Sequence, residues 1–492
     1  MRIPHPVPRT VLAAGLLVAA ATANAAGPPP RVQDLKLPDT AAARLMGEWL
    51  DLCARPDPAR MTEWVAAHLS TAGAGRMPAT ARAADMVQAC TSNGGFDAVA
   101  VANSDPMSIA LKLRGRETGG WFEVLLITNE SGELDRSGIM PALPEEASLP
   151  ASLTDEVIAK EVRQTVERLS KAGLFSGIVT VARGTGIIAS ASGGYANRAQ
   201  KTPITGASRF TLASMGKMFT AAAIGQLVDQ KKLATDDTVG KFFPDYPNKA
   251  VRDKVTIAML LSHTSGMGDF LDKRTPAMMK EGVHRAAEFM PLYDHDEPQF
   301  APGSDRSYSN AGLALAGAII EKVSGESYPD YLRKHVFEPA GMKHSSANSV
   351  PRADAGLVTP YTRDPSGTWQ VAEGDIGSPA GGAISTADDL IRFADALRSG
   401  KLVSKAWYAD MVTPHGPPGN GGDYGYAIGI NDIYGRTVVG HNGGFPGVST
   451  HLFMVQDSPY TVVVLANQDP PAEAYAGLPV VALMVERSKR DN

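Results

Sequence analysis

The chain has 492 residues, 43% hydrophobic and 20% charged, enough for two domains and a large core. Its 47 basic and 52 acidic residues leave a formal charge of −5, which removes any electrostatic reason to bind nucleic acid or an anionic membrane surface. Neither of the 2 cysteines has a histidine or second cysteine at ligand spacing, so nothing points to a metal site or to thiol catalysis.

The N-terminus reads as an address. Met1–Arg9 holds two arginines and no acid, Val11–Thr22 is an unbroken small or apolar run, and Ala23-Asn24-Ala25 closes it with a small-x-small pattern. Residues 1–25 are therefore expected to be a secretory signal cleaved after Ala25, its apolar part too short to span a bilayer. The mature protein is then periplasmic or secreted, with no membrane span. In such a compartment Cys53 and Cys90 either form one disulfide or stay as two buried thiols, and both readings remain open.

After Gly27-Pro-Pro-Pro30, helical apolar spacing runs over Thr40–Cys53, Pro58–Leu69 and Ala79–Cys90. The period then shortens. Phe96–Ala102, Ser108–Leu113 and Trp121–Thr128 alternate or run apolar between Gly-containing turns, as strands do. Residues 26–146 are thus expected to form a small α+β domain, and their element order resembles the nuclear-transport-factor-2-like domains.

A second domain, 147–492, opens with the charged amphipathic helix Leu153–Ala172 and a hairpin, Gly177–Ala182 and Gly186–Ser190, around Arg183-Gly-Thr-Gly186. A long helical middle follows, from about Leu212 to about Leu402. Strand signals return at Tyr424–Ile430, Thr437–Gly440, Thr450–Val455 and Tyr460–Ala466, before a terminal helix over Ala474–Arg487. Strands from both ends must then pair around a helical insert, with the outer helices covering the sheet.

The chemistry sits at Thr211-Leu-Ala-Ser-Met-Gly-Lys-Met-Phe-Thr220. Serine is a poor nucleophile until a base takes its proton, and lysine is that base only where desolvation favours its neutral form. Ser214 and Lys217, at i and i+3 of a helix expected to begin near Leu212, share one face amid methyls and methionines. Free N–H groups of that first turn suit an oxyanion. Tyr308-Ser-Asn310 stands just before the helical run Ala311–Val323. Tyr308 could shuttle protons with Lys217, whose charge would lower the phenol's pKa, while Asn310 could meet a substrate carbonyl or act as the helix N-cap. Gly440-His-Asn-Gly-Gly-Phe-Pro-Gly447, between two strand signals, brings His441 and lets the backbone approach a ligand at Gly443 and Gly444.

In this order, Ser214-x-x-Lys217, Tyr308-x-Asn310 and His441-x-Gly443 resemble the serine β-lactamase and penicillin-binding-protein superfamily, in its class C β-lactamase, esterase and D-aminopeptidase branch. Met259-Leu-Leu-Ser-His-Thr-Ser-Gly266, Ala380-Gly-Gly-Ala-Ile-Ser-Thr-Ala-Asp-Asp-Leu390 and Val462-Val-Val-Leu-Ala-Asn467 strengthen the likeness, which covers about Leu174 to Val485. It implies an α/β (α+β) β-lactamase/transpeptidase-like fold: an antiparallel sheet flanked by helices, plus a helical subdomain. It also implies Ser214 as acylated nucleophile, Lys217 and Tyr308 as proton relay, Asn310 as carbonyl guide, and the N–H groups of Ser214 and Gly444 as oxyanion hole, with no cofactor and no metal. His441 replaces the lysine usual in β-lactamases and transpeptidases, and Asn442 the usual threonine or serine. Histidine titrates near neutrality and would anchor a substrate carboxylate weakly and pH-dependently.

The expected activity is therefore hydrolysis of small-molecule esters or of amides and D-amino-acid peptides. The alternatives are a β-lactamase, a DD-carboxypeptidase, or a slowly acylated sensor of peptidoglycan fragments. His263 reads as a structural histidine bonding its own turn. Asp294-His-Asp-Glu297 reads as a solvated loop, Ser385-Thr-Ala-Asp388 as a capping box, and Met215 and Met218 as core or pocket wall.

Overall fold

The computed structural model describes residues 35–347, 356–364, 367–373, 377–417 and 422–491, so the signal expected at residues 1–25 lies outside the described residues. Four helices open it, one of them the short Thr71–Arg76. Thr40 caps α1 (Ala41–Cys53), its side chain accepting from Ala43 N, and Asp57 caps α2 (Pro58–His68), which has proline in its first turn. A further helix, α3 (Ala79–Asn93), stops at Gly94, which takes the left-handed φ of 64° that suits glycine. Cys53 and Cys90 are joined as a disulfide with Cα atoms 5.1 Å apart, which ties α1 to α3.

These helices pack on an antiparallel meander, β1 (Phe96–Asp105), β2 (Ser108–Gly115), β3 (Trp121–Thr128) and β4 (Leu134–Pro141), paired in chain order. Trp49, Phe96, Leu111 and Phe122 lie in the apolar layer between helices and sheet. Strand β4 was not among the expected strands. It is an edge strand, and its Leu134-Asp-Arg-Ser-Gly-Ile-Met-Pro141 carries the charge, glycine and proline that edges tolerate and sequence patterns penalise.

The larger sheet has seven antiparallel strands drawn from both ends of the chain. With β5 (Gly177–Arg183), β6 (Gly186–Gly193), β7 (Asp423–Tyr424), β8 (Gly429–Ile433), β9 (Arg436–Phe445), β10 (Val448–Val455) and β11 (Tyr460–Ala466), the spatial order is β7-β8-β9-β10-β11-β5-β6. The period of two sorts side chains between two cores. Val462 and Val464 of β11 join the layer under α4 (Asp155–Lys171) and α7 (Ala472–Asp491), while Val463 and Leu465 face the helical insert with α5 (Lys217–Asp229) and α6 (Asn310–Ser324). The chain thus has the β-lactamase/transpeptidase-like fold that its motifs implied.

Two boundaries differ from expectation in ways that matter. The run Tyr424–Ile430 is broken between β7 and β8 around Ala427, which has φ 53°. Strand β9 does not end at Gly440 but continues through His441, Gly443 and Gly444 to Phe445. Glycines weaken a strand signal in sequence, yet here another backbone segment must pass close to Gly443.

Candidate active site

The serine turn is held from two sides. Phe210–Thr211 pairs with Ile384–Ser385, Leu212 N donates to Ala383 O at 2.8 Å, and Gly382 N donates to Ala213 O at 3.0 Å. On the sheet side Thr450 Oγ1 donates to Leu212 O at 2.8 Å. Between these clamps Ala213 takes φ 47°, a left-handed conformation that costs an L residue about 1 kcal/mol. Ser214 then sits in a 3₁₀ turn, Ala213–Gly216, and α5 begins only at Lys217. The expected single α-helix from Leu212 is corrected here, with a chemical consequence: at three residues per turn, positions i and i+3 eclipse.

Lys217 is fully buried. Its Nζ lies 3.1 Å from Ser214 Oγ and 2.7 Å from Asn310 Oδ1, and it also donates to the carbonyl of Ala380. A neutral amine can give two hydrogens to the two carbonyl oxygens and take one from the serine hydroxyl. An ammonium gives all three, so the same positions serve both protonation states.

Asn310 is the first residue of α6 rather than its cap. Ser309 caps the helix, accepting from Gly312 N at 2.9 Å, which frees the Asn310 amide for the cleft. Its orientation is fixed because Nδ2 donates to Asp269 Oδ2 at 2.8 Å, leaving Oδ1 for Lys217. Asp269 is exposed, and its other oxygen accepts from Phe270 N at 2.6 Å and Leu271 N at 3.0 Å.

Tyr308 hydrogen-bonds Ser214, and its ring centroid lies 4.7 Å from Lys217 Nζ. The expectation that the lysine would lower the phenol's pKa is overturned. Crowding by protein groups pushes it above its ordinary value, the Ser214 hydrogen bond opposes that push, and the Asp269 carboxylate adds to it. With the residue 48% exposed, solvent in the open cleft softens the effect. Tyr308 therefore keeps its proton at neutral pH.

His441 and Gly443 lie on the face of β9 that looks toward the serine turn, and both are buried. The β8 partner ends at Gly440, so beyond it the backbone of 441–445 pairs only with β10 among the described strands. His441 does not match its expected near-neutral titration. Burial, followed by the charge of Lys217, holds its pKa down to about 3, with a backbone hydrogen bond to Asn442 working the other way. Both ring nitrogens are engaged: Nε2 is 2.9 Å from Tyr424 Oη, and Nδ1 is 2.5 Å from Asn442 O.

His263 is also not what the sequence suggested. Its ring leaves its own turn, taking Ser309 N on Nδ1 at 3.1 Å and meeting Tyr424 Oη with Nε2 at 3.1 Å, while packing tilted against the Tyr308 ring with centroids 4.3 Å apart. The helix cap falls one residue later than Ser385-Thr-Ala-Asp388 suggested: Thr386 accepts from Asp389 N, and Ser385 lies in a short strand. Met215 and Met218 are buried in the main core.

The structure thus gathers Ser214, Lys217, Tyr308 and Asn310 around one amine, with His441 and Gly443 on the facing strand. Sequence reasoning missed Ala380, Asp269 and Tyr424. Ala380 acts through its carbonyl, which no residue type reveals, although its Ala-Gly-Gly stretch stood out. Asp269 and Tyr424 carry no motif signal at all.

Comparison with known proteins agrees with this arrangement. The beta-lactamase family model matches residues 162–485, well over half of the chain. A penicillin-binding protein of Bacillus subtilis (strain 168) is 30% identical over 64% of this chain and 73% of its own length. A D-aminopeptidase of Cereibacter sphaeroides (strain ATCC 17029 / ATH 2.4.9) is 25% identical over 61% of this chain, which spans only 58% of that enzyme. The solved penicillin binding protein from Bacillus halodurans superposes with a TM-score of 0.57 at 30% identity, covering 69% of this chain and 99% of its own. The chain belongs to the beta-lactamase family, within the serine β-lactamase and penicillin-binding-protein superfamily of serine hydrolases.

Proposed function

We propose that the protein is an exported serine hydrolase that cleaves carboxylic esters, or amide and D-amino-acid peptide bonds, through an acyl-enzyme on Ser214. One observation carries this reading: a fully buried Lys217 amine 3.1 Å from the Ser214 hydroxyl, with its two other positions filled by fixed carbonyl oxygens. Lys217 takes the Ser214 proton as Oγ attacks the substrate carbonyl carbon. The N–H groups of Ser214 and Gly444 receive the oxyanion. As the intermediate collapses, the bond to the leaving group breaks. The leaving group takes the Tyr308 phenolic proton, which the Lys217 ammonium replaces. Water then repeats the sequence on the ester carbon and releases the acid and Ser214. Asn310 guides the substrate carbonyl from the amine's far side.

The charge pattern bears on substrate. An exposed carboxylate at Asp269 and an uncharged His441 favour neutral or ammonium-bearing substrates over carboxylate-bearing ones such as β-lactams and peptides ending in D-alanine. Similarity to a D-aminopeptidase supports the amide branch. The Cys53–Cys90 disulfide supports export, as does the leader pattern of residues 1–25. The division into a small α+β domain (26–146) and a hydrolase domain (147–492) belongs to the same proposal, supported by the separate apolar layer around Trp49 and Phe122.

A slowly turning-over sensor is the second reading. One contact favours it: Tyr475 of α7 packs 5.6 Å from Phe122 of the N-terminal sheet, two residues after Glu473, which bonds Ser449 beside the cleft strand. A chromogenic short-chain ester, with intact-mass measurement, separates the readings. Ser214→Ala and Lys217→Ala are each expected to lose at least ~10³-fold in kcat/KM. Equal rates in wild type and both variants would sink the site. An adduct on Ser214 lasting hours with negligible product would establish the sensor instead.

A further inference from the structure

Outside the amine cluster, one chain of hydrogen bonds links two histidines through a tyrosine that the mechanism does not use. Its direction follows from its ends. Ser309 N–H can only donate, so His263 Nδ1 is the acceptor at 3.1 Å and the ring's hydrogen sits on Nε2. That Nε2–H donates to Tyr424 Oη at 3.1 Å, and the Tyr424 hydroxyl donates onward to His441 Nε2 at 2.9 Å. The Asn442 carbonyl can only accept, so His441 Nδ1, 2.5 Å away, carries the second ring's hydrogen. Every donor and acceptor is used once. A proton added to His263 Nδ1 would face the Ser309 N–H, donor against donor, and one added to His441 Nε2 would turn the Tyr424 hydroxyl round and take away the acceptor of its hydrogen.

We propose that Tyr424 is a specificity-determining positioning residue: held by His263, it occupies the one His441 nitrogen that could meet a ligand. It thereby keeps the cleft closed to leaving groups that carry a carboxylate. The proposal rests on the hydrolase reading of the same cleft and deepens it. His441 lies where a β-lactamase-type lysine would offer a cation, yet here neither ring nitrogen is available and the ring is uncharged. The surroundings keep it so. Lys217 of α5, His263 and Tyr308 of the helical layer and Tyr424 of β7 face the imidazole, His451 of β10 pairs with Asn442 on the other face of the sheet, and the Arg306 charge reaches His263 and Tyr424. None of these is a carboxylate that would stabilise an imidazolium. Burial pushes the Tyr424 phenol well up, so it stays a donor.

The test compares the phenyl and 3-carboxyphenyl esters of one N-acylglycine, which differ only in the leaving group's charge. In wild type the ratio of kcat/KM for the charged over the neutral ester is expected to stay low and flat between pH 5 and 8. Tyr424→Phe frees Nε2, and the ratio is expected to rise at least about fivefold near pH 5.5, where the charge of the incoming carboxylate offsets burial and lets the released imidazole take a proton. An unchanged ratio in Tyr424→Phe overturns the proposal, because a merely structural role would slow both esters alike. Imidazole ¹⁵N NMR of the full wild-type chain gives a second readout that needs neither turnover nor a variant. His441 is expected as the Nδ1–H tautomer, still neutral near pH 5.5. A protonated or Nε2–H imidazole there also overturns the proposal. Inertness of wild type toward both esters would instead sink the hydrolase reading, leaving the NMR result to decide on Tyr424.

Discussion

Gly443→Ala tests whether the facing strand sets the reacting geometry. A Cβ added at Gly443 would stand 2.0 Å from Leu212 O and 2.6 Å from Thr450 Oγ1. Ordinary contact begins at 3.4 Å, so something must retreat by 3.4 − 2.0 = 1.4 Å. Neither neighbour is a flexible tip. The Leu212 carbonyl is tied to Thr450 Oγ1 at 2.8 Å, and Leu212 lies two residues before Ser214. Strand β9 and the serine turn must therefore separate, moving the Ser214 and Gly444 N–H groups out of register with one carbonyl oxygen. Misplacement of about 1 Å costs on the order of 10²-fold in rate, or roughly 2.7 kcal/mol of transition-state stabilisation. Overpacking of this kind adds about 1–3 kcal/mol of lost stability. The assay is kcat/KM on a chromogenic ester beside a urea melt, with Gly138→Ala as control, since nothing lies within 4 Å of the Cβ added there. If Gly443→Ala kept activity within about threefold of wild type and melted unchanged, the close approach of strand and turn would be refuted.

Acid lability should be measurable at two buried histidines. Burial, and then the Lys217 charge, holds both His263 and His441 below the ordinary 6.5, so below that pH the unfolded chain binds protons that the folded chain refuses. Stability is thus complete above about pH 6.5 and falls by about 1.4 kcal/mol per histidine per pH unit beneath it, or roughly 3 kcal/mol for the pair near pH 5.5. Urea midpoints that stay flat from pH 8 to 5 would contradict this. Replacing both Cys53 and Cys90 by serine should cost about 3 kcal/mol in thermal unfolding of the N-terminal region while esterase activity survives. Loss of activity without loss of stability would point to a different role for that bond. Ala213→Gly relieves the left-handed φ of 47°, so stability should hold or rise by up to about 1 kcal/mol while kcat drops as the serine turn loosens. A clear loss of stability would show that the backbone there is unstrained.

The sequence by itself determined the local facts. Period-two and helical spacing placed most helices and the strands of both sheets, and the ordered Ser214, Lys217, Tyr308, Asn310 and His441 motifs defined the family and the chemistry of a desolvated amine beside a hydroxyl. Edge strand β4 escaped because its exposed positions mix Arg136 with Met140 and its half-buried ones include Asp135 and Ser137, which leaves no period to read. The tertiary structure alone decided what surrounds each group. It supplied the Ala380 carbonyl on Lys217, the Asp269 carboxylate behind Asn310, and the Tyr424 hydroxyl that ties up His441. It also turned His441 from a near-neutral titrating anchor into an uncharged ring, and kept Tyr308 protonated against the pull expected of Lys217. The reason is physical: spacing is written along the chain, whereas a pKa depends on the solvent excluded and on partners brought from distant segments.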